Sequence, residues 1–330
     1  MIIVTGGAGF IGSSIVKALN DQDRRDILVV DNLTNAEKVN NLSGLEIADY
    51  MDKDEFFDIL QAKKHSAKKL GAVSAVLHQG ACSDTMATDG RYVLHNNFTY
   101  SKELFHYCRR HHLQYIYASS ASVYGAGAVF KESPDFESTL NAYAYSKLLF
   151  DNYVRGQPDP GIQCVGLRFF NVYGPREQHK GRMASVAWHF RNQFRAEGKV
   201  KLFRGTDGYG DGEQRRDFVS VEDVVKVNLF FLEHPGKSGI FNVGTGRCQS
   251  FNEVAMSVIN TLRLDRGETE LSIEDAVQQG TIEYIPMPDA LLGKYQSYTE
   301  ADLTELRKTG YAEQFLTVQQ GIKRYMKDLE

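Results

Sequence analysis

The chain has 330 residues, of which 42% are hydrophobic and 24% charged, and its formal net charge is −4 at pH 7. This length allows a large core, either in one α/β domain or in a cofactor domain with a smaller partner, and the composition is that of a globular protein. The negative charge argues against a nucleic-acid partner, because affinity for a phosphate backbone needs a basic surface.

The four cysteines, Cys82, Cys108, Cys164 and Cys248, are widely spaced, with neither a C-x-x-C pair nor a histidine spacing suited to zinc. This usage predicts free thiols in a reducing compartment and no metal site. No apolar run approaches membrane-spanning length, and the chain opens on an apolar strand pattern rather than a signal peptide. We therefore expect a cytoplasmic protein without a membrane partner.

Short aliphatic or β-branched runs alternate with longer amphipathic segments through the first half of the chain. Strands are predicted at residues 2–4, 27–30, 73–77, 115–118 and 164–169, and helices at 13–20 and 92–111. This alternation predicts an α/β fold with a doubly wound parallel sheet of the Rossmann type. Its ligand crevice should lie at the carboxyl ends of the strands.

After about residue 175 the pattern becomes irregular, with a glycine-rich loop at 205–212, a polar, acidic stretch at 268–280 and a strand pattern at 282–285. We predict an NAD(P)-binding domain at residues 1–170, to which residues 215–245 return. Residues 171–330 are expected to form mainly a smaller, mixed α/β substrate-binding domain.

A glycine loop follows the first predicted strand directly: residues 5–12 read TGGAGFIG and open a helix. Glycines let the backbone turn sharply and approach a pyrophosphate, and the helix N-terminus offers unpaired N–H groups. Asp31 closes the second strand about 20 residues later, as in the dinucleotide fingerprint. The pattern predicts NAD(P) binding at Gly6, Gly9, Phe10, Ile11, Gly12 and Asp31.

The sequence leaves the choice between NAD and NADP open. Asp31 would accept a ribose 2′-hydroxyl and so favour NAD. Lys38 and Lys53 follow downstream, where they could pair with the 2′-phosphate of NADP. A lone lysine is, however, more often a solvated surface charge.

Residues 143–147 read YAYSK and contain the pattern Y-x-x-x-K. Residues four apart share one face of a helix, so the Tyr143 phenol and the Lys147 ammonium should point the same way. A nearby cation favours the phenolate, which makes Tyr143 a candidate base at neutral pH. The segment ASSASVYG at 118–125 follows a predicted strand, and there Ser120 could hydrogen-bond a substrate oxygen beside the tyrosine.

Together with RFFNVYGPR at 168–176 and RRDFVSVED at 215–223, these motifs resemble the extended short-chain dehydrogenase/reductase family, from residue 1 to about 250. Its members are mostly nucleotide-sugar epimerases, dehydratases and reductases. Dehydratases of the family carry an acidic pair after the active-site Ser or Thr. Ala121 and Ser122 stand at those positions here, which disfavours dehydration.

Within the family, residues 171–186, together with 1–13, 95–104 and 284–296, resemble the enzymes that invert C6 of an ADP-bound heptose for the lipopolysaccharide inner core. This resemblance covers essentially the whole chain. It implies an ADP-heptose substrate, tightly bound NADP (with NAD as the alternative) and a homopentamer.

The resemblance also implies a second acid–base group, Lys180, opposite Tyr143. After hydride leaves C6, the carbonyl intermediate must present its other face, and its oxygen must then be reprotonated from the opposite side. A buried lysine with a lowered pKa suits that proton transfer. From composition alone, Lys180 would be a surface lysine in a polar loop.

Further ligand contacts are carried over from the resemblance. Those to the cofactor are Asn32, Lys38, Lys53, Gln79, Gly80, Ala81, Cys82, Ser83, Asn96, Lys147, Val172 and Lys180. Those to the substrate are Asn171, Arg182, His189, Phe203, Arg204, Gly205, Thr206, Arg216 and Tyr295. Arg216 should bind the diphosphate, because guanidinium groups pair with phosphate oxygens; the alternative is an ion pair with Asp217. Arg182 and Gln79 depart from the family, which has a small polar and an acidic residue there.

Two other functions stay open at this point. The first is a UDP-sugar 4-epimerase of the same family, although inversion at C4 has no evident need for the segment 179–181. The second is a redox-sensing NAD(P)-binding protein without catalysis. The intact Ser120, Tyr143 and Lys147 argue against that second alternative.

Overall fold

A large parallel sheet forms the centre of the molecule. The computed structural model describes residues 1–61, 70–157, 159–288 and 296–329. Its strands are β1 (Ile2–Thr5), β2 (Ile27–Asp31), β3 (Asp49–Asp52), β4 (Ala75–His78), β5 (Gln114–Ser120), β6 (Cys164–Phe169), β7 (Asn171–Tyr173), β8 (Val200–Phe203), β9 (Arg215–Ser220), β10 (Gly239–Val243), β11 (Cys248–Ser250) and β12 (Ile282–Ile285). The seven-stranded sheet has the order β10-β6-β5-β4-β1-β2-β3, and every neighbouring pair in it is parallel.

Helices cover both faces of this sheet. The α-helices are Phe10–Asp21, Val39–Leu42, Lys53–Gln61, Gly90–Leu94, Tyr100–His111, Ala142–Arg155, Val186–Glu197, Val221–Glu233, Phe251–Asp265, Ile273–Gln278, Thr304–Lys308 and Val318–Lys327. Along β1, Ile2 and Val4 contribute to the core on one face and Ile3 to the core on the other. Because strand side chains alternate between faces, a strand that is buried on both faces appears as a continuous apolar run.

The predicted doubly wound parallel sheet is confirmed. Strands 164–169 and 282–285 have the predicted bounds, and the other predicted strands differ from the observed ones by one or two residues at an end. The sequence missed both edge strands of this sheet, β3 and β10. β3 reads DYMD and has no apolar run. The predicted helix at 92–111 is divided by a π-helical turn at His95–Thr99; such turns frequently occur at functional sites.

The second half of the chain adds two small sheets. One has the strand order β11-β9-β7, and the other pairs β12 with β8. A separate apolar core joins these strands to the Val186–Glu197, Phe251–Asp265 and Val318–Lys327 helices. β10 returns to the large sheet beside β6, while the division into two domains at residue 170 stays a prediction. Among the described residues, no helix is both long enough and apolar enough to cross a membrane.

Candidate active site

A cavity of about 520 Å³ opens at the carboxyl edge of the large sheet, beyond β1, β2, β4 and β5. In this topology that edge is where ligands bind. Every residue predicted to contact the cofactor lines this cavity: Gly6, Gly9, Phe10, Ile11, Gly12, Asp31, Asn32, Lys38, Lys53, Gln79, Gly80, Ala81, Cys82, Ser83, Asn96, Lys147, Val172 and Lys180. Ser120 and Tyr143 line it as well.

Backbone atoms form the floor of the cavity at the glycine loop. A Cβ atom on Gly12 would lie 2.1 Å from the carbonyl oxygen of Gly6. Gly6 has a φ of +66°, and a Cβ there would lie 2.6 Å from the backbone nitrogen of Gly80. Gly9, which precedes the Phe10–Asp21 helix, has no side chain to occupy the free N–H groups of the first turn. Because no side chains intervene, the backbone N–H groups of this loop can approach a pyrophosphate closely.

Gly12→Ala is therefore expected to weaken cofactor binding. Accommodating the methyl group costs ~1–3 kcal/mol, which corresponds to roughly tenfold to a hundredfold in affinity. Fluorescence titration with NADP and NAD measures the change. Gly236→Ala is the matched control, since a Cβ at Gly236 meets nothing within 4 Å. Equal affinity in the two variants would exclude the glycine loop as the phosphate site.

The Asp31 carboxylate, at the end of β2, has hydrogen-bond and ion-pair partners within the protein. It is 7% exposed and accepts hydrogen bonds from the backbone N–H groups of Ala8 (2.9 Å) and Asn32 (2.7 Å). The Lys38 ammonium forms an ion pair with it at 2.9 Å. Lys53 lies in the same cavity and donates to Asn96 Oδ1 at 2.7 Å. A neutralised carboxylate with two lysines nearby provides a positive region at this end of the cavity.

The Ala142–Arg155 helix carries Tyr143 and Lys147 on one face. It begins where the Asn141 side chain accepts a bond from the backbone N–H of Ala144 at 2.8 Å, a standard helix cap. The Lys147 ammonium lies 6.0 Å from the centre of the Tyr143 ring and donates to the Ala118 carbonyl on β5 at 2.8 Å. Helical spacing thus brings both groups to the end of β5, where Ser120 also lies.

Burial decides the protonation of this pair. It raises the pKa of Tyr143, whereas a hydrogen bond with Ser120 lowers it. Burial also lowers the pKa of Lys147 to about 8, against the attraction of Asp151. The sequence argument expected Lys147 to lower the pKa of Tyr143, but in the structure desolvation prevails because the phenol is enclosed.

Lys180 lies on the short 3₁₀ turn Gln178–Met183 and lines the same cavity as Tyr143 and Lys147. Its ammonium is 5.2 Å from the centre of the Phe10 ring. Burial lowers the pKa of Lys180, and attraction to Glu177 opposes that shift. A half-buried lysine with a lowered pKa differs from the solvated surface lysine that composition alone suggests.

A second cavity, of about 680 Å³, adjoins the first. Five of the nine predicted substrate residues line it: Asn171, Arg182, His189, Phe203 and Arg216. The two cavities share wall residues, namely Thr85, Phe170, Val172, Lys180 and Met183. Lys180 thus stands at the junction of a candidate cofactor site and a candidate substrate site.

The remaining predicted substrate residues are not in that wall. The Arg204 carbonyl and the Thr206 hydroxyl accept bonds from Gln214 Nε2 at 3.0 and 3.3 Å, and Gln214 itself lines the cavity. Gly205 N donates to Asp211 Oδ1 at 2.8 Å. Arg204 and Thr206 therefore contact a residue of the cavity wall, and Tyr295 lies outside the described residues.

The two predicted arginines have different environments. Arg182 is exposed, and its Nη2 forms an ion pair with Asp84 Oδ2 at 2.6 Å. Arg216 is buried, with its guanidinium 5.9 Å from the centre of the Phe251 ring. Asp217, the alternative partner considered for Arg216, accepts bonds from backbone N–H groups, including that of Thr245 at 2.7 Å.

Several lining residues were missed by the sequence argument. They are Thr5, Asp84, Thr85, Tyr92, Tyr100, Phe170, His179 and Met183 at the first cavity, and Phe190, Gln193, Lys201, Gln214, Phe251 and Gln296 at the second. Seven of these residues adjoin predicted site residues in the chain, which was the available signal: Thr5, Asp84, Phe170, His179, Met183, Phe190 and Gln296. The others carry no local motif, since their side chains reach the cavities only through tertiary packing.

Comparison with known proteins agrees with this architecture. A profile of the NAD dependent epimerase/dehydratase family matches residues 2–244. A curated protein of Thiobacillus denitrificans, ADP-L-glycero-D-manno-heptose-6-epimerase, is 57% identical over 328 residues, or 99% of this chain and 98% of that protein.

Solved structures show the same similarity. The ADP-L-glycero-D-manno-heptose-6-epimerase of Helicobacter pylori has a TM-score of 0.80 at 29% identity, covering 99% of this chain and 95% of that one. The UDP-glucose 4-epimerase of Thermus thermophilus, in complex with NAD, has a TM-score of 0.75 at 26% identity, covering 99% and 97%. The predicted resemblance is confirmed, and the chain belongs to the NAD dependent epimerase/dehydratase family.

Proposed function

We propose that this enzyme inverts C6 of ADP-D-glycero-D-manno-heptose to the L-glycero form by transient oxidation at that carbon. The observation that carries the proposal is the position of Lys180, which lines both cavities and shares the first of them with Tyr143. The two relatives named as heptose-6-epimerases support the same substrate. On the resemblance we also propose NADP as the cofactor, a homopentamer, and a role in lipopolysaccharide inner-core heptose synthesis in the cytoplasm.

Tyr143 is the base for the first half of the reaction. The residues of the first cavity would hold a nicotinamide cofactor, which would supply reversible hydride transfer at C6. Tyr143 Oη takes the proton of the C6 hydroxyl. The hydrogen bond between Ser120 and Tyr143 lowers the pKa of the phenol and so stabilises the phenolate. The Lys147 ammonium, held by the Ala118 carbonyl, supplies a positive charge beside the developing phenolate.

Lys180 serves the other face of the sugar. Once C6 is a carbonyl, rotation of the sugar presents the opposite face to the same hydride. The oxygen then points away from Tyr143 and needs a proton from another element of the protein. Lys180 is on a different segment from Tyr143, and its lowered pKa eases proton release near neutral pH.

The second cavity suits the nucleotide sugar. Its volume of about 680 Å³ lies within the range of small-molecule sites. Arg216, which is buried in its wall, is the candidate ligand for the diphosphate. Asn171 and His189 are candidate contacts for the sugar hydroxyls.

The cofactor preference can be tested at the two lysines beside Asp31. The double variant Lys38→Ala, Lys53→Ala is expected to bind NADP roughly tenfold more weakly, because a charged hydrogen bond contributes ~1.5–3 kcal/mol. Affinity for NAD should change much less, since NAD lacks the 2′-phosphate. Competition titrations measure both values, with the exposed Lys17→Ala as control. An equal loss for both dinucleotides would show that the lysines do not read the 2′-phosphate.

The function is tested by incubating the purified enzyme with ADP-D-glycero-D-manno-heptose and following the sugar by NMR. We expect C6 inversion without net formation of NADPH. UDP-glucose is the parallel substrate. An unchanged heptose together with C4 inversion of UDP-glucose would establish the 4-epimerase alternative. No turnover of either sugar would favour the redox-sensing alternative.

A further inference from the structure

One buried amide connects the segment that carries Lys180 to the glycine loop. Asn41, which is 6% exposed, lies on the short Val39–Leu42 helix that follows β2. Its Nδ2 is 3.1 Å from the Ala8 carbonyl oxygen, 3.0 Å from the Arg176 carbonyl oxygen and 3.1 Å from Nδ1 of His179. These partners belong to two chain segments, the glycine loop and the segment that carries Lys180, and both segments line the cofactor cavity.

The chemistry of the contact favours a fixed geometry. Burial and the nearby Lys38 and Lys180 charges lower the pKa of His179, whereas a hydrogen bond to the Arg176 backbone raises it. In the neutral tautomer that leaves Nδ1 unprotonated, Nδ1 accepts a hydrogen bond from the Asn41 amide. Arg176 Nη1 also donates to the Asn41 carbonyl, so side chain and backbone of Asn41 both bind this segment. Removing the amide would leave buried carbonyl groups without a donor, which is costly.

The Lys180 segment has a second contact with the glycine loop and an anchor at its other side. The Lys180 ammonium packs over Phe10, the first residue of the helix after the loop. Glu177 is buried and accepts bonds from the hydroxyls of Ser185 (2.7 Å) and Tyr325 (2.9 Å), which belong to the second half of the chain. Gly181, directly after Lys180, has a φ of +52°. The Asn41 contacts at Arg176 and His179 lie just before Lys180 in the chain, so they hold the backbone that carries it.

We propose that Asn41 is a positioning residue that couples the glycine loop to Lys180. The contact with Ala8 connects Asn41 to the loop that holds the cofactor phosphates. The contact with His179 orients the segment that carries the acid–base residue Lys180. Asn41 thereby holds Lys180 at a fixed position relative to both the sugar and the bound dinucleotide. The catalytic part of this inference rests on the proposed function, whereas the positional part does not.

The test compares Asn41→Ala with Asn40→Ala, an exposed neighbour of the same residue type. For Asn41→Ala we expect kcat for C6 inversion to fall by about 10–100-fold, because a misplacement of about 1 Å in an active site can cost roughly 100-fold in rate. The KM for the nucleotide sugar should change little. The pH–rate limb that reports Lys180 should move to higher pH, because release from its buried position returns its pKa toward the ordinary value.

A second variant and a second measurement distinguish loss of this contact from a defect in folding. His179→Leu removes the contact on the Lys180 side but leaves the Asn41–Ala8 bond, and it should reproduce the loss in kcat. Acetic anhydride labelling of Lys180 in the NADP-loaded protein, read by peptide mass spectrometry, should change rate in both variants but not in Asn40→Ala. Unchanged labelling would overturn the inference whatever the substrate is. If labelling of Lys180 changes in the two variants but the wild-type protein leaves ADP-heptose unchanged, the proposed function is rejected and the coupling is retained.

Discussion

Lys180→Met is expected to slow C6 inversion by at least about 100-fold, the range that general acid–base groups contribute. Methionine retains the length of the side chain and can keep the contact with the Phe10 ring through its sulfur. The change therefore removes the proton donor with little effect on the shape of the site. Inversion rates are measured by NMR of the sugar, and cofactor content by absorbance of the purified protein.

Lys199→Met is the control for this variant, because Lys199 is an exposed lysine in the same half of the chain. It should retain the wild-type rate. We expect the Lys180→Met protein to keep its cofactor, since the phosphate loop is untouched. Full activity of Lys180→Met would remove Lys180 from the mechanism and with it the main argument for inversion at C6.

Tyr143→Phe is the second change with a large expected effect. It keeps the aromatic ring but removes the hydroxyl that bonds Ser120 and takes the substrate proton. We expect a loss of about 100-fold to 10,000-fold in kcat, again on the scale of general base catalysis. Initial rates of epimerisation at saturating substrate measure it.

Tyr145→Phe is the matched control. Tyr145 lies two residues further along the same helix and is 49% exposed, so its hydroxyl points away from the cavity side. It should retain wild-type activity. If Tyr143→Phe were as active as Tyr145→Phe, another group would have to take the C6 hydroxyl proton.

The sequence by itself determined the parts of the fold that are short-range. Continuous apolar runs identified the central strands, because both sheet faces are buried and every position along such a strand must be apolar. The edge strand β3 escaped detection, since Asp49–Asp52 carries acidic residues and only part of it is covered. The π-helical turn at His95–Thr99 was also hidden, because its residues continue the periodicity of the flanking helices.

The cofactor loop and the Tyr143–Lys147 pair were predictable for the same reason. Their function depends on backbone geometry over a few residues, namely a glycine turn at 5–12 and one turn of a helix at 143–147. Lys180 was identified only through the resemblance. Nothing in the composition of its loop distinguishes it from a surface lysine.

Tertiary structure alone decided where the remaining site residues lie. Arg182 lines the second cavity, and its ion pair with Asp84 joins residues 98 positions apart in the chain. The dominant effect of burial on the pKa of Tyr143, which exceeds any effect of the Lys147 charge, could not be predicted from the sequence. Long-range contacts such as Asn41 with His179 arise from the packing of separate elements, and no local pattern encodes which side chains that packing brings together.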